Sequence, residues 1–517
     1  MKKVIPLLLA ALLLAGCAST PAATVETTAP VQTTAATEAA AETAPVAEAP
    51  VYTSRFDSET VVTLSGDGLT VNGGGETDTV YTSHDIVYYE EKTAYESGNP
   101  YGAGSETDMH TAEEAQAHTV VNITAPGAYR LSGKLSAGQI RIDLGEDAAS
   151  DPDAVVELIL DGADITCTVA PAILFRNVYE CDGGWNPETA QPTVDTADAG
   201  ANLILAENSR STVSGSYVAK IYKDAEGEKK LWKQDGAVYS YMSMNVYGPG
   251  ALGITAENEG LDSALHLTVN GGTVVASANP ASDAGLDSDM GSFVNGGTVI
   301  ALGSTMDWAE SDSNQVTMNL QFSQYQSSGS AIVVTKEDGT VIFAYDPSED
   351  EVLGENMRQY MGAVISCPAF TRGETYQLWL DGTVTGTETG GVYTSVTAYS
   401  GGTQMQYTGT DVGMGGMGGP RPEGGMPEDS DGQRPQPGDL TPPDGDTGGQ
   451  PPEKPDGDAS GAPGDGTPPD GERPPLPEGE TMPDRQPPEG GQNAAGEAST
   501  GFYMNDMVNA FSGITAV

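Results

Sequence analysis

The sequence predicts an all-β chain: a parallel β-helix, or solenoid, with a small C-terminal β module and disordered N- and C-terminal segments. The first observation is an internal repeat. The motifs GLDS (260–263) and NGGTV (270–274) return at 285–288 and 295–299, each 25 residues later. A fixed period of this size is typical of architectures in which equivalent units stack on one another.

The second observation is a two-residue alternation inside each repeat. Leu265, Leu267 and Val269 alternate with small or polar residues, and Val274 and Ala276 do so again after the Asn-Gly-Gly turn. Short alternating runs bounded by Gly and Asn indicate strands. The 66 glycines and the lack of a 3.6-residue apolar period argue against a helical bundle. Each repeat therefore reads as one rung, which must stack on its neighbours to bury its apolar residues.

Looser copies of this pattern extend the predicted solenoid over residues 51–325. The upstream rungs contain short apolar strands at 155–162, 171–175, 202–206, 236–240 and 244–250. Two stretches, 180–200 and 219–234, lose the alternation and gain proline, glycine and charge. We expect these two stretches to be insertions that leave the stack.

A separate small β module is predicted at residues 326–410. A Glu-Asp-Gly turn at 337–339 lies between two β-rich runs, and a further strand follows at 376–380. We expect this module to cap the open C-terminal end of the solenoid, since exposed edges invite aggregation.

The C-terminal segments differ from each other in composition. Residues 411–500 are rich in Gly, Pro, Asp and Glu and are predicted to be disordered. Residues 501–517 form a short apolar tail, in which we expect one short helix.

The N-terminus has the features of an export signal. Lys2 and Lys3 precede an apolar run at 4–14, which is shorter than a membrane span. The following Leu-Ala-Gly-Cys resembles the cleavage box of bacterial lipoproteins, so residues 1–17 read as a signal peptide with Cys17 as the lipidated residue. Residues 18–50, nearly all Ala, Thr, Pro, Glu and Val, predict a disordered tether. The expected location is the outer face of a bacterial cell membrane, with lipid as the only attachment.

Charge and cysteine content exclude several classes of partner. The formal net charge of −52 excludes nucleic acid and anionic membrane surfaces, which need basic patches. Zinc is disfavoured because there is no C-x-x-C pair and the four histidines are scattered. A disulfide between Cys167 and Cys181, with Cys367 free, is left open.

An ordered set of motifs identifies a family resemblance. The motifs are VVNITAPGAYRLSGKL (120–135), GQI (138–140), LDGADI (160–165) and PAI (171–173), followed by the GLDS and NGGTV rungs. In this order, over residues 57–420, they resemble a bacterial family of carbohydrate-binding β-helix lipoproteins. The resemblance implies a right-handed parallel β-helix similar to pectate-lyase folds, calcium sites, and binding of cellulose or polygalacturonate without cleavage. In this chain Asp262 and Asp287 stand where family rungs often carry lysine, which weakens the transfer of a ligand preference.

The acidic turns suggest where calcium binds. A 25-residue period stacks Asp262 on Asp287, with strands about 4.7–4.9 Å apart. Carboxylates this close favour protonation or a bridging cation. Glu259, Asp283 and Asp289 are near enough in sequence to add oxygen ligands, which calcium prefers. The alternative is that aspartate simply suits turns.

Aromatic residues are the candidate sugar contacts. Tyr239 and Tyr241 alternate so as to share a face, and Trp185, Trp232 and Trp308 lie in or beside predicted loops. Aromatic faces with nearby polar groups suit a sugar ligand. The alternative for each is ordinary packing, because tryptophan is mostly buried.

The sequence favours binding over catalysis. A lyase needs a base beside calcium, yet no Lys or Arg occurs between residues 235 and 335, and basic candidates lie only upstream. There is no G-x-S-x-G elbow and no P-loop. The predicted function is polysaccharide binding with calcium. The alternatives are a polysaccharide lyase on the same fold and a surface adhesin for a protein ligand, with the acidic tail as its active part.

Overall fold

The computed structural model shows an all-β protein, which confirms the predicted class. It describes residues 52–66, 68–89, 109–182, 195–219, 233–281, 283–305, 307–354, 356–412 and 498–517. The strands of the first half of the described chain are β1 (Glu59–Gly66), β2 (Gly68–Val71), β3 (Val80–Ser83), β4 (Thr119–Ile123), β5 (Gly127–Leu135), β6 (Gly138–Asp143), β7 (Val156–Thr166), β8 (Ile173–Asn177), β9 (Ala201–Leu205), β10 (Arg210–Gly215), β11 (Gly236–Ser240), β12 (Met244–Tyr247), β13 (Ala251–Ala256) and β14 (Glu259–Ser263).

The remaining strands complete the rungs and form a C-terminal β region. They are β15 (His266–Val269), β16 (Thr273–Ser277), β17 (Leu286–Ser288), β18 (Gly291–Val294), β19 (Thr298–Gly303), β20 (Thr317–Gln326), β21 (Ile332–Lys336), β22 (Val341–Tyr345), β23 (Tyr360–Ser366), β24 (Thr375–Leu380), β25 (Thr383–Thr389), β26 (Val392–Ser400), β27 (Thr403–Gln406), β28 (Phe502–Tyr503) and β29 (Val508–Ala516).

Helical structure is sparse in the described chain. One α-helix, α1 (Ala112–Gln116), begins at a capping box in which the Thr111 hydroxyl accepts from the Glu114 N–H while the Glu114 carboxylate accepts from the Thr111 N–H. Single 3₁₀ turns occur at Ala148–Ser150, Thr196–Asp198 and Pro347–Glu349. Among the described residues, no helix is long and apolar enough to cross a membrane.

Three ladders of parallel strands make up the N-terminal two thirds of the described chain. The first ladder runs β4-β6-β8-β11-β14-β17, with β3 antiparallel at the β4 edge. The second runs β1-β5-β7-β10-β13-β16-β19. The third branches from the long strand β7 and runs β9-β12-β15-β18.

The register of the ladders follows the sequence repeat. Tyr239 pairs with Asp262, which pairs with Asp287 in the next strand, so the two steps are 23 and 25 residues long. Met244 pairs with Leu267 and then Ser292, with the same two steps. Each ladder therefore receives one strand from each repeat, as the periodicity predicts.

One hydrophobic core lies between the three ladders. Leu261, Val269 and Ala276, one from each ladder, are fully buried in the same cluster. Because side chains alternate along a strand, the neighbouring positions face away from this core. This places Asp262 and Asp287 on the outer side of the first ladder, since their neighbours Leu261 and Leu286 are in the core.

The C-terminal β region packs against the outer face of the second ladder. Val275, Ile300 and Leu302, on strands β16 and β19, belong to a second core that they share with residues such as Phe322 and Ile365. Strand β23 pairs antiparallel with β19, the last strand of that ladder, and so covers its open edge.

The last residues of the chain form strands rather than the short helix that we expected at 501–517. Strand β28 pairs with β24, and β29 lies parallel to β20. Phe502, Phe511 and Ile514 are at most 2% exposed and lie in the second core. Pairing with strands far away in sequence overrides any local helical preference.

A buried ion pair joins the second ladder to the C-terminal region. Arg210, at the start of β10, contacts Asp350 at 2.5 Å, and the Asp350 side chain has no exposed surface. Asp350 also accepts hydrogen bonds from the N–H groups of Val352 and Leu353.

Replacing Arg210 tests this connection. Arg210→Met is expected to lower the free energy of unfolding by about 3–5 kcal/mol, because it leaves a buried carboxylate without its counter-charge. Urea denaturation measures the change. Lys134→Met is the matched control: the Lys134–Asp164 pair is largely exposed, so its loss is expected to cost at most about 1 kcal/mol. Equal losses in the two variants would contradict a buried bridging role for Arg210.

Several expectations fall outside the described residues or stay open. Residues 1–51, with the predicted signal peptide, Cys17 and the tether, lie outside the described part, and so do residues 413–497. Cys167, Cys181 and Cys367 are free thiols, so the disulfide left open for Cys167 and Cys181 is not formed in this structure.

Candidate functional site

The predicted stack of carboxylates is present on the outer side of the first ladder. Asp262 of β14 and Asp287 of β17 are register partners, and Tyr239 of β11 extends the same column. Side chains alternate along each strand, so the residues next to this column, such as Leu261 and Leu286, point into the core.

A buried group of three acids forms the centre of the site. Carboxylate oxygens of Asp235, Glu259 and Asp262 all lie within 4.8 Å of one another. The three residues are only 5%, 6% and 5% exposed. Asp235 immediately precedes β11, and Glu259 begins β14 beside Gly236. We call Asp235, Glu259 and Asp262 the acidic triad.

Burial and mutual repulsion make the ionised triad unfavourable. Burial raises the pKa of Glu259 well above its usual range, and the charges of Asp287 and Asp262 raise it further. The pKa of Asp262 is raised for the same reasons, first by burial and then by Asp287 and Asp235. Such a group either holds protons or binds a cation.

The donor set suits a hard cation. Oε2 of Glu259 is buried and accepts no hydrogen bond from the described residues. A buried carboxylate oxygen without a donor is costly. Calcium is bound by six to eight oxygens from carboxylates, carbonyls and water, so the triad fits part of such a shell.

A second acidic group adjoins the triad. Asp307 lies close to Asp287, and burial together with the Asp287 charge raises the pKa of Asp307 to about 9. Asp289 and Asp307 line a small cleft of about 10 Å³ with Trp308 and Glu310. A space of this size holds about one water molecule. Asp287 interacts with both Glu259 and Asp307, so it links the two groups.

Lys233 brings a positive charge to the triad. Its ammonium forms an ion pair with Asp235, and its side chain is 44% exposed. Burial alone would lower the pKa of Lys233, but the charges of Asp235 and Glu259 outweigh it and raise that pKa. Lys233 is therefore a resident cation of the site.

The pH dependence of stability tests these electrostatics. In chelator, the free energy of unfolding is expected to fall between about pH 5.5 and 8. Glu259, Asp262 and Asp307 keep protons in the folded state that an unfolded chain, with carboxyl pKa values near 4, has lost. The slope is about 1.4 kcal/mol per pH unit for each retained proton. Urea titrations at several pH values measure it.

The pH range of about 5.5 to 8 separates the titration of Glu259, Asp262 and Asp307 from that of carboxylates with lowered pKa values. Glu59 and Asp85 have lowered pKa values, so their contribution to stability is lost only below this range, as the pH falls towards their folded-state values. Stability that rises with pH between 5.5 and 8 in chelator would contradict the raised values at the cluster.

The predicted metal residues do not all meet at one point. Glu259 and Asp262 belong to the triad, and Asp287 and Asp289 belong to the adjoining group. Asp283 is buried, and with the Asn258 amide turned so that its nitrogen faces Asp283, that nitrogen donates to both carboxylate oxygens, at 2.8 and 3.1 Å.

Sequence reasoning did not select Asp235 and Asp307 as metal ligands. A signal for Asp235 existed, because it directly precedes residues 236–240, a loose copy of the repeat.

The predicted aromatic contacts are enclosed or undescribed. Tyr239 and Tyr241 are 3% and 1% exposed and pack edge to face, with ring centroids 5.0 Å apart. Trp308 is 6% exposed, and its Nε1 has no hydrogen-bond partner among the described residues. Trp185 and Trp232 lie outside the described residues, so their role stays a prediction. None of the three described rings presents an open face to a sugar in this structure.

Comparison with known proteins points to carbohydrate-binding relatives. Residues 117–318 match a family model described as a carbohydrate-binding domain-containing protein. A protein of Acetivibrio thermocellus with the same description is 26% identical over 159 residues, which cover 31% of this chain and 45% of the relative. The chain therefore spans less than half of that relative's length.

One solved structure is also similar in part. It is described as a polysaccharide lyase-like protein from C. thermocellum, gadolinium derivative; it is 15% identical, with 46% of this chain and 82% of that chain covered, at a TM-score of 0.25. The residues that match the family model begin just before β4 and end within β20, so they contain the acidic triad and Asp307.

Proposed function

We propose that this chain is an exported, lipid-anchored protein that binds cell-wall polysaccharide, of cellulose or polygalacturonate type, with calcium and without cleaving it. The observation that carries the proposal is the match of residues 117–318 to a carbohydrate-binding family, over the same segment that holds the acidic triad. The formal net charge of −52 is consistent with a ligand that is neither nucleic acid nor an anionic membrane surface.

The fold that we propose for this function is a right-handed parallel β-helix. Its support is that three parallel ladders each take one strand per repeat and share one core. Crossover connections between parallel strands are right-handed in about 98% of cases. Stacked rungs of this kind offer long, regular faces to a linear polymer.

We place calcium at the acidic triad, with Asp287 beside it. Bound calcium would supply positive charge to carboxylates that otherwise repel one another in a buried site. Asp262 and Asp287 come from adjacent strands, so both carboxylates would be neutralised across one step of the ladder. The expected result is a stiffer outer face on the first ladder.

The anchor that we propose is lipid on Cys17, which would hold the protein at the outer face of a bacterial membrane. The sequence 18–50 would then separate the β-helix from the membrane.

Cleavage is the less supported alternative. Lys233 is the basic residue that lies beside the triad, and it is the natural candidate for a lyase base. Its ammonium is paired with Asp235, and the surrounding carboxylates favour its protonated form. A base must be free of its proton at the working pH, so this arrangement favours binding without cleavage.

Affinity gel electrophoresis with soluble polymer in the gel tests binding and cleavage together. The chain is expected to be retarded by hydroxyethyl cellulose or by polygalacturonate, more strongly with calcium than with chelator. The polymer is expected to stay intact, with no rise in the ultraviolet absorbance of unsaturated products. Product that appears with wild-type chain and disappears in Lys233→Met would establish the lyase alternative instead. Unchanged mobility in both polymers would contradict the proposal.

A further inference from the structure

A groove of about 480 Å³ lies away from the acidic triad, on the outer side of the third ladder. Its lining includes Tyr247, Thr268 and Phe293, from strands β12, β15 and β18. The alternate positions of these strands, such as Val246 and Val269, face the core. The volume is within the range of about 300–1,000 Å³ that is usual for ligand sites.

A ladder of amide groups crosses the groove. Asn295 donates to Asn270 at 3.3 Å, and Asn270 donates to Asn245 at 3.4 Å. Asn295 in turn accepts from the N–H of Asn314 at 3.0 Å. The 25-residue repeat places Asn270 and Asn295 at equivalent positions, immediately after β15 and β18. Each amide has two N–H donors, and the ladder uses one at Asn270 and one at Asn295, so both keep a donor for a ligand hydroxyl.

The groove also has an apolar component that is held in place. Tyr247 packs against Tyr52 with ring centroids 4.6 Å apart, and Phe293 stacks on His266 at 6.2 Å. The Thr196 hydroxyl donates to Asn245 at 2.7 Å and lies within hydrogen-bond distance of the Thr268 hydroxyl, at 3.0 Å, so the 3₁₀ turn at Thr196–Asp198 is fixed to the groove. Tyr247 and Phe293 are only 8% and 6% exposed, so they add little accessible apolar surface, and amide donors are the main groups that the groove offers a sugar.

The charges at the groove indicate which sugars it admits. Among the described residues, its lining contains the exposed carboxylates Asp195 and Asp312 and no Lys or Arg. Arg55 donates to Ala197, which lines the groove, but its charge is paired with Asp198 at 2.8 Å. A polyuronate would therefore meet like charges there, which is unfavourable.

We propose that this groove is the binding site for an uncharged, hydroxyl-rich polysaccharide of the cellulose type, and that it discriminates against polyuronates. The inference rests on the proposed polysaccharide-binding function and gives that function a location. Asn270 and Asn295 donate to hydroxyls, and Asp195 and Asp312 repel carboxylated sugars.

Calorimetric titration of the whole chain with cellohexaose and with hexagalacturonate tests the site. In calcium buffer, Asn295→Ala is expected to weaken cellohexaose binding about fivefold, the change that corresponds to one net hydrogen bond. Asn356→Ala, which alters an exposed asparagine outside the groove lining, is the matched control and is expected to bind like the wild type.

A second variant preserves shape and changes only charge. Asp195→Asn/Asp312→Asn is expected to bind hexagalacturonate about fivefold more tightly than the wild type does in chelator, where calcium cannot bridge carboxylates. Wild-type cellohexaose affinity in Asn295→Ala would overturn the groove as the site. Unchanged hexagalacturonate affinity in the double variant would overturn the charge selection. If the wild-type chain binds neither sugar in either buffer, the proposed function fails with it.

Discussion

Removal of residues 498–517 is expected to prevent the chain from reaching a stable folded state. The deleted segment contributes Phe502, Met504, Phe511 and Ile514 to the second core, each at most 2% exposed. A single large-to-small change at such a position costs about 2–5 kcal/mol. Total stability is usually about 5–15 kcal/mol, so losing all four side chains exceeds the margin. Expression yield and the cooperativity of urea unfolding measure the effect.

The point variant Phe511→Ala tests the same claim in a chain that still folds. Its free energy of unfolding is expected to fall by about 3–5 kcal/mol. Replacing residues 413–497 with a short Gly–Ser linker is the control, because this removes none of the described strands. The control chain is expected to keep wild-type stability and polysaccharide binding. Loss of binding in it would favour the adhesin alternative, in which the acidic tail is the active part.

Asp262→Asn is expected to make the metal-free protein more stable and the calcium-bound protein less so. At pH 8 the metal-free folded chain must take up a proton at Asp262 that the unfolded chain has lost, which costs about 1.4 kcal/mol for each pH unit above the unfolded-state pKa, and asparagine avoids this cost. Removing one carboxylate ligand is also expected to weaken calcium binding by roughly tenfold to a hundredfold. Thermal unfolding in chelator and in calcium measures both effects, since a ligand stabilises the state that binds it.

Two further variants test whether the effects of Asp262→Asn are specific to the triad. Lys233→Met removes the resident cation and keeps the acids, so it is expected to tighten calcium binding, opposite in sign to Asp262→Asn. Glu351→Gln neutralises an exposed carboxylate of the C-terminal region and is expected to change neither stability nor calcium binding. If calcium raised the unfolding temperature of Asp262→Asn as much as that of the wild type, the triad would not be the calcium site.

The stacking of Asp262 on Asp287 was predictable because the repeat itself records the register. Two near-identical segments in adjacent rungs leave little freedom in pairing, since a one-residue slip would turn every core residue outward. Asp235 was not selected because its rung has diverged to Gly-Ala-Val-Tyr-Ser. Asp307 follows the last clear repeat, so no periodicity marked it.

Burial of the predicted aromatics was not predictable from the strand pattern. Tyr239 and Tyr241 were candidate sugar contacts because their alternation puts them on one face of a strand, and that pattern does not say whether the face is covered. Gln234 hydrogen-bonds the Tyr241 hydroxyl at 3.2 Å, and Lys233 reaches Asp235, so the end of the inserted segment lies over this surface. Contacts made by an insertion are set by tertiary packing and leave no periodic signal in the sequence.

The C-terminal strand illustrates the same limit. Residues 501–517 are apolar enough to be noticed, but β29 gains its partner from β20, nearly 200 residues earlier. Pairing over such a distance depends on the completed second core and not on local propensity.

The most direct test of the account is retention of the whole chain on insoluble cellulose and on cross-linked polygalacturonate, each with calcium and with chelator. We predict retention on cellulose that is stronger with calcium and is reduced in Asp262→Asn. The experiment needs the whole chain, because β28 and β29 belong to the second core. If neither matrix retained the chain, with calcium or with chelator, that result would contradict the proposed function.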